Sequence, residues 1–241
     1  MSLSGRKVLV VVITKDIVEP ECMDSILALE YPDYNVMVHI KKPMKYFTNA
    51  EDPRHESYVN QYINCPENRN EARTLALASD ADYFLFVDSD TVLPKNALSL
   101  LMVEKRDAIG GYYKASGGSA NYVAGRFVKN QKGQEVFLHF LEVAKGVQQV
   151  NMIGMGCALI SRKMLTEIPF EDGLNMGVLI PAGPTIEETK PIGMGECMIF
   201  GHRAREKGYA LFMHGLVECK HLTRKDHYTT IPEKGKDASS N

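Results

Sequence analysis

The stretch Tyr83-Phe84-Leu85-Phe86-Val87-Asp88-Ser89-Asp90 constrains the fold of this chain more than any other. Five apolar residues rich in β-formers stop abruptly at two carboxylates separated by one serine. A run this short, bounded by charge, predicts a buried strand rather than a helix. In an open α/β sheet, ligands sit in the crevice beyond the carboxyl ends of the strands. Asp88 and Asp90 are therefore expected at the mouth of such a crevice, where hard oxygen ligands attract Mg²⁺ or Mn²⁺. An ion held this way keeps positions open for phosphate oxygens. The pattern predicts a metal-assisted reaction on a phosphate-bearing substrate. The same carboxylates also suit a plain Asp-rich turn, with Ser89 and Thr91 bonding to the next helix.

The pattern on either side fits such a sheet. Strands are predicted over 8–13 and 36–40, with a helix over 19–30 between them, ahead of the Tyr31-Pro32-Asp33 turn. A long loop covers 41–57, and Pro66 suits the first turn of a helix running on through 67–78. After the carboxylate strand come a helix over 94–104 and a strand over 107–113. The first half thus reads β-α-β-α-β-α-β, a mostly parallel central sheet flanked by helices. The second half is less regular. A loop starts at Gly117-Gly118, and 122–128 with 135–141 predict a hairpin around 130–133. A short helix is expected over 161–167, ended by Pro169. Five glycines and three prolines make 173–195 a long loop and candidate lid. A helix over 196–207 closes at Gly208, and 209–213 forms a last strand.

Composition narrows the partners. Twenty-eight Lys and Arg against 30 Asp and Glu give a net charge of −2, so no broad cationic field invites nucleic acid or an anionic membrane. The five cysteines are odd in number and scattered, which argues against a disulfide framework and a zinc site and favours a reducing compartment. Arg6-Lys7 before the apolar run 8–13 imitates a leader, but the run is short and Lys15-Asp16 stand where cleavage would fall. No stretch of about 18 apolar residues exists to span a bilayer. The expected location is the cytoplasm.

Several segments, in order, resemble the family-2-like glycosyltransferases. Asn68-Arg69-Asn70-Glu71-Ala72-Arg73 is similar to that family's Ala-Arg-Asn helix, and Asp88-Ser89-Asp90 to its strand-ending Asp-x-Asp. The segment 151–165 looks like its glycine-rich stretch before a helix. Gly195-Glu196-Cys197, Arg203-Ala204-Arg205 through Gly208-Tyr209, and Glu218-Cys219-Lys220-His221 resemble its C-terminal motifs. The resemblance covers roughly residues 7 to 222. It implies the GT-A fold, with residues 1–228 as one catalytic domain. About 1–113 would bind nucleotide, 114–228 would face the acceptor, and 229–241 would be a flexible tail. It implies transfer of a hexose from a UDP- or GDP-sugar to a carbohydrate or glycoconjugate acceptor, with Mn²⁺ or Mg²⁺, and an inverting course favoured. Oligomeric state is left open.

The resemblance also implies roles. Asp90 and His221 would ligate the metal, with Asp88 acting through water or through the ribose and Ser89 close by. Thr14 would border the nucleoside base. Arg69 and Arg73, one turn apart on a helix ridge, would meet the diphosphate, although such a pair also suits a solvated helix face. Lys41-Lys42 replace the acidic residues many relatives carry after the second strand. Where inverting relatives have the aspartate of Gly-Glu-Asp as general base, this chain has Cys197, a poor base at neutral pH. Glu196 is the candidate to take that role, though a glutamate at a helix start is also stabilised by the helix dipole alone. Gly154 and Gly156 suit close approach of backbone to a sugar, and Met152, Met155 and Met164 suit core filling.

Two competing readings stand beside this one. Asp88-Ser89-Asp90-Thr91 also resembles the first motif of haloacid-dehalogenase-type phosphatases, with Glu171-Asp172 imitating their late acidic pair. A sugar-nucleotide-binding module weakened in catalysis would also explain Cys197.

Overall fold

The computed structural model describes residues 5–14, 17–40, 65–115, 121–171 and 176–222. The predicted loop over 41–57, Lys15-Asp16, Gly117-Gly118, Asp172, Gly173 and the 229–241 tail lie outside them.

In chain order the elements are β1 (Val8–Thr14), α1 (Pro20–Leu27), β2 (Tyr34–Ile40), α2 (Cys65–Leu77), β3 (Tyr83–Asp88), β4 (Thr91–Val92), α3 (Ala97–Val103) and β5 (Ala108–Tyr112). There follow β6 (Ala124–Lys129), β7 (Glu135–His139), β8 (Val147–Val150), β9 (Met152–Ile153), a 3-10 turn (Met155–Cys157), β10 (Ala158–Ser161) and α4 (Arg162–Glu167). The last are β11 (Gly177–Pro181), β12 (Thr189–Gly193), α5 (Glu196–Glu206), β13 (Leu211–Glu218) and β14 (Lys220–His221).

Seven strands form the main sheet in the order β2-β1-β3-β10-β5-β13-β8. The apolar run of β3 is buried on both faces, as its lack of alternation predicts. Phe84 and Phe86 point into a core shared with α2, α4 and α5, while Leu85 and Val87 pack with residues of α1 and α3 on the other side. Met155 and Met164 lie in the first of these cores and Met152 in a smaller one with Phe137 and Ile199, so the methionines fill core as expected.

Two arginines tie α2 and α4 together at their ends. Arg162 donates to the carbonyl of Leu77, the last residue of α2, and to those of Ser79 and Ala81 in the chain just beyond it. Arg73 returns the arrangement by donating to the carbonyls of Leu165 and Thr166 at the end of α4. Both use a cation to satisfy carbonyls that a helix leaves open at its C-terminus.

Five of the seven strands, β1, β2, β3, β5 and β13, run in one direction, the mostly parallel sheet that the sequence predicts, and β10 and β8 run against them. β1 pairs in parallel with β2 and β3, and β5 with β13, but β10 runs antiparallel between β3 and β5, and β8 antiparallel to β13. Four residues, Ala158–Ser161, are too short to announce a strand, and only the slot between β3 and β5 makes them one. The predicted 122–128 and 135–141 hairpin is present as β6 and β7, with Gly133 at φ 75° in its turn. It belongs to a second sheet, ordered β12-β11-β7-β6-β9.

The predicted loop over 173–195 is corrected by β11 and β12, which pair antiparallel with Gly177 opposite Gly193. Its prolines do not prevent this, because β12 is an edge strand, where Pro191 removes no ladder bond, and Pro181 ends β11. The final strand also exceeds its predicted span, running on to Glu218.

Candidate functional site

A cleft of about 360 Å³ opens beyond the carboxyl ends of β1 and β3. Parallel pairing of these strands sets Ile13 beside Asp88, so Thr14 and Ser89 emerge at the same edge. Cys65, Asn68 and Arg69 line it from α2, and Glu196 from the start of α5. Asp90 and His221 complete the lining. Of the residues singled out in the sequence, Thr14, Arg69, Asp88, Ser89, Asp90, Glu196 and His221 are thus brought to one place. Arg73 is not: its guanidinium is occupied by α4, away from the cleft. Arg73 shares the ridge of Arg69 but lies about 6 Å farther along the helix axis, where the end of α4 rather than the cleft is within reach.

His221 reaches Asp90 through a pairing the sequence does not announce. β14 runs antiparallel to β4, with His221 opposite Thr91, and the amide of Leu222 donates to the Asp90 carbonyl at 2.7 Å. His221 Nε2 then lies 3.4 Å from Asp90 Oδ1. The hydrogen bond to Asp90 raises the histidine's pKa above its ordinary 6.5, against burial, which lowers it.

Arg69 is the electrostatic centre of the cleft wall. Only 5% exposed, it donates from Nε to Glu196 Oε1 at 2.6 Å and from Nη2 to Asp88 Oδ1 at 2.6 Å. Burial alone would lower its pKa, but the carboxylates of Asp88 and Glu196 outweigh that and raise it well above the ordinary value. Arg69 therefore links β3, from the first half of the chain, to α5, from the second.

Burial pushes the Cys197 thiol up to about 12, so it stays protonated at neutral pH and cannot serve as a base. Gly154 and Gly156 are glycine for a reason other than an approaching sugar. A Cβ at either would lie 2.5 Å or 2.7 Å from the Tyr113 hydroxyl, which accepts a hydrogen bond from the Gly156 amide at 2.9 Å.

Among the described residues, no group of three or more His, Cys, Asp and Glu side chains is arranged to hold a metal ion. The Asp90–His221 pair nevertheless fits a site completed by substrate. Two ligands roughly 90° apart, each about 2.1 Å from a small divalent ion, lie about 3 Å from each other. Their observed 3.4 Å separation is close to that, and Mg²⁺-type sites commonly use one or two protein ligands with phosphate oxygens.

Sequence reasoning missed Asn68 and Cys65 as cleft residues. Their place in the first turn of α2, next to Arg69, was the available signal. Of the late acidic pair in the phosphatase reading, Glu171 is held by Arg203 of α5 at 2.8 Å and does not line the cleft, and Asp172 lies outside the described residues.

Solved structures share this fold. A197 from STIV matches with a TM-score of 0.54 at 16% identity, over 90% of this chain and 86% of that one. GalNAc-T7, solved with UDP, GalNAc and Mn²⁺, matches with a TM-score of 0.54 at 11% identity, over 92% of this chain. This chain spans 45% of the GalNAc-T7 chain. No protein-family model and no curated protein sequence matches the chain. The fold is that of the GT-A glycosyltransferases. Among the described residues, no helix is long and apolar enough to cross a membrane.

Proposed function

We propose that the chain is a metal-dependent glycosyltransferase, moving a hexose from a UDP- or GDP-sugar to a carbohydrate or glycoconjugate hydroxyl. The observation that carries this is the meeting of Asp90 with His221 at a cleft that Thr14, Arg69, Asp88, Ser89 and Glu196 also line. A neighbour in fold solved with UDP, GalNAc and Mn²⁺ supports the choice of ligand class. Residues 1–228 act as one catalytic domain in this reading, and five free thiols support a cytoplasmic location.

Transfer breaks the bond between the anomeric carbon and the nucleotide diphosphate, and negative charge grows on the departing oxygen. Asp90 and His221 would hold Mn²⁺ or Mg²⁺, which supplies charge neutralisation at the leaving diphosphate. Thr14 and Ser89 border the nucleoside. Arg69 holds the Asp88 carboxylate in place, and Asp88 would act through water or through the ribose. Arg73, engaged at α4, has no part in donor binding. Glu196 takes the acceptor proton at its carboxylate, with Oε1 fixed by Arg69. That ion pair also favours a second reading, in which Glu196 only anchors Arg69 and transfer proceeds with retention and no carboxylate base.

Calorimetric titration with UDP-glucose, UDP-galactose, UDP-GalNAc and GDP-mannose, in Mn²⁺ and then in EDTA, tests the proposal. Saturable binding of one donor that requires metal and disappears in Asp90→Ala is expected. A folded protein that binds none of them in Mn²⁺ refutes it. The anomeric configuration of the product, read by NMR, separates the inverting from the retaining reading.

A further inference from the structure

The inference rests on the metal reading above and concerns what orients its histidine. The bond from the Leu222 amide to the Asp90 carbonyl makes Thr91 and His221 the non-hydrogen-bonded pair of the β4–β14 ribbon. In such a pair, facing side chains come closest. Thr91 is completely buried, and its Oγ1 and His221 Nδ1 are both buried polar atoms without a hydrogen-bond partner among the described residues. The Tyr113 ring packs against the imidazole with centroids 5.6 Å apart. A Cβ on Gly156 would lie 2.7 Å from the Tyr113 hydroxyl and 2.8 Å from Thr91 Oγ1, so glycine keeps open the space both hydroxyls border.

The two unpartnered groups are complementary. For Nε2 to present a lone pair beside Asp90, the imidazole proton must sit on Nδ1, and a buried N–H with no acceptor is costly. Metal-binding histidines almost always give that second N–H to a fixed acceptor, which sets both tautomer and ring orientation. We propose that Thr91 is a positioning residue for His221: its hydroxyl accepts the Nδ1–H hydrogen bond, directly or through one water, and leaves Nε2 bare toward Asp90. If Thr91 were only a β-former filling the core, valine would replace it without loss, since valine removes a buried hydroxyl and keeps the shape.

The test titrates Mn²⁺ in the presence of UDP, reading free Mn²⁺ by electron paramagnetic resonance, on the full chain and on Thr91→Val, Thr91→Ser and His221→Ala. Thr91→Val is expected to weaken Mn²⁺ binding by about 10–100-fold without lowering the metal-free melting temperature. Thr91→Ser, which restores the hydroxyl, stays within about threefold of the parent chain. With diamagnetic Mg²⁺ and UDP bound, two-bond ¹H–¹⁵N spectra should show His221 as the Nδ1–H tautomer in the parent and in Thr91→Ser, and as a mixture in Thr91→Val. Should Thr91→Val not fold, Thr91→Ala is read in the same way. Parental Mn²⁺ affinity and tautomer in Thr91→Val, with binding lost in His221→Ala, overturn the role of Thr91 and leave the metal reading intact. Parental Mn²⁺ affinity in His221→Ala overturns the metal reading itself.

Discussion

Replacing Arg69 with methionine keeps the volume of a buried side chain but removes the cation that bridges Asp88 and Glu196. The two carboxylates are not equally affected. Asp88 has a side chain 32% exposed and can turn to water, whereas that of Glu196 is 9% exposed. Stripping the partner from a buried ion pair costs about 3–5 kcal/mol, mostly the penalty of the charge left behind. For a domain of this size that corresponds to a fall in melting temperature of roughly 6–20 °C. Glu196→Gln costs less, about 1–2 kcal/mol, because Arg69 keeps Asp88. In Arg69→Met/Glu196→Gln the stranded charge is gone, so the double variant should recover at least about 1 kcal/mol relative to the sum of the singles. Urea unfolding followed by circular dichroism measures all three. A loss below about 1 kcal/mol in Arg69→Met, or strict additivity in the double variant, would refute the claim that Arg69 holds the cleft wall together.

Arg73→Ala should destabilise the fold by about 1–3 kcal/mol, through the lost bonds to Leu165 and Thr166, yet leave donor affinity unchanged. A large loss of donor affinity in a folded Arg73→Ala would return that residue to the site. Burial lowers the pKa of His214, whose Nδ1 accepts the Leu216 amide at 3.2 Å, below the ordinary 6.5. The unfolded chain therefore takes up this proton first as pH falls, so stability is full above about 6.5 and declines below it until the folded group titrates. The slope is at most about 1.4 kcal/mol per pH unit for one group, and urea midpoints between pH 7.5 and 5.5 should flatten in His214→Gln. An equal slope in that variant would show that other groups carry the acid sensitivity. Gly156→Ala should cost about 1–3 kcal/mol, because the new methyl meets the Tyr113 and Thr91 hydroxyls, and thermal unfolding at parental stability would contradict that crowding.

Local chemistry made part of this protein legible before folding is considered. The apolar run at Tyr83 to Val87 could be satisfied only by burial on both faces, and its charged end had to face solvent or a ligand. Gly208 behaves as its position predicts, at φ 79° beyond α5. Strand β10 was not legible, because Ala158–Ser161 carries too few residues for a periodic signal and takes its strand form from β3 and β5. The hairpin of β11 and β12 was hidden by glycine and proline, which disfavour strands in general but are tolerated at a sheet edge.

The candidate site divides along the same line. By itself the sequence determined that two carboxylates end a buried strand and that a glutamate opens a helix, since each follows from a few neighbouring residues. Only the tertiary structure decided which distant groups answer them. The Glu218-Cys219-Lys220 context points to His221 by resemblance, but only the β4–β14 pairing carries it to Asp90, while His214 lies in β13 and accepts the Leu216 amide. Arg69 and Arg73 have the same chemistry one turn apart on α2. One meets Asp88 and Glu196 and the other meets the end of α4, because long-range packing, not residue type, determines which partner is within reach of each guanidinium.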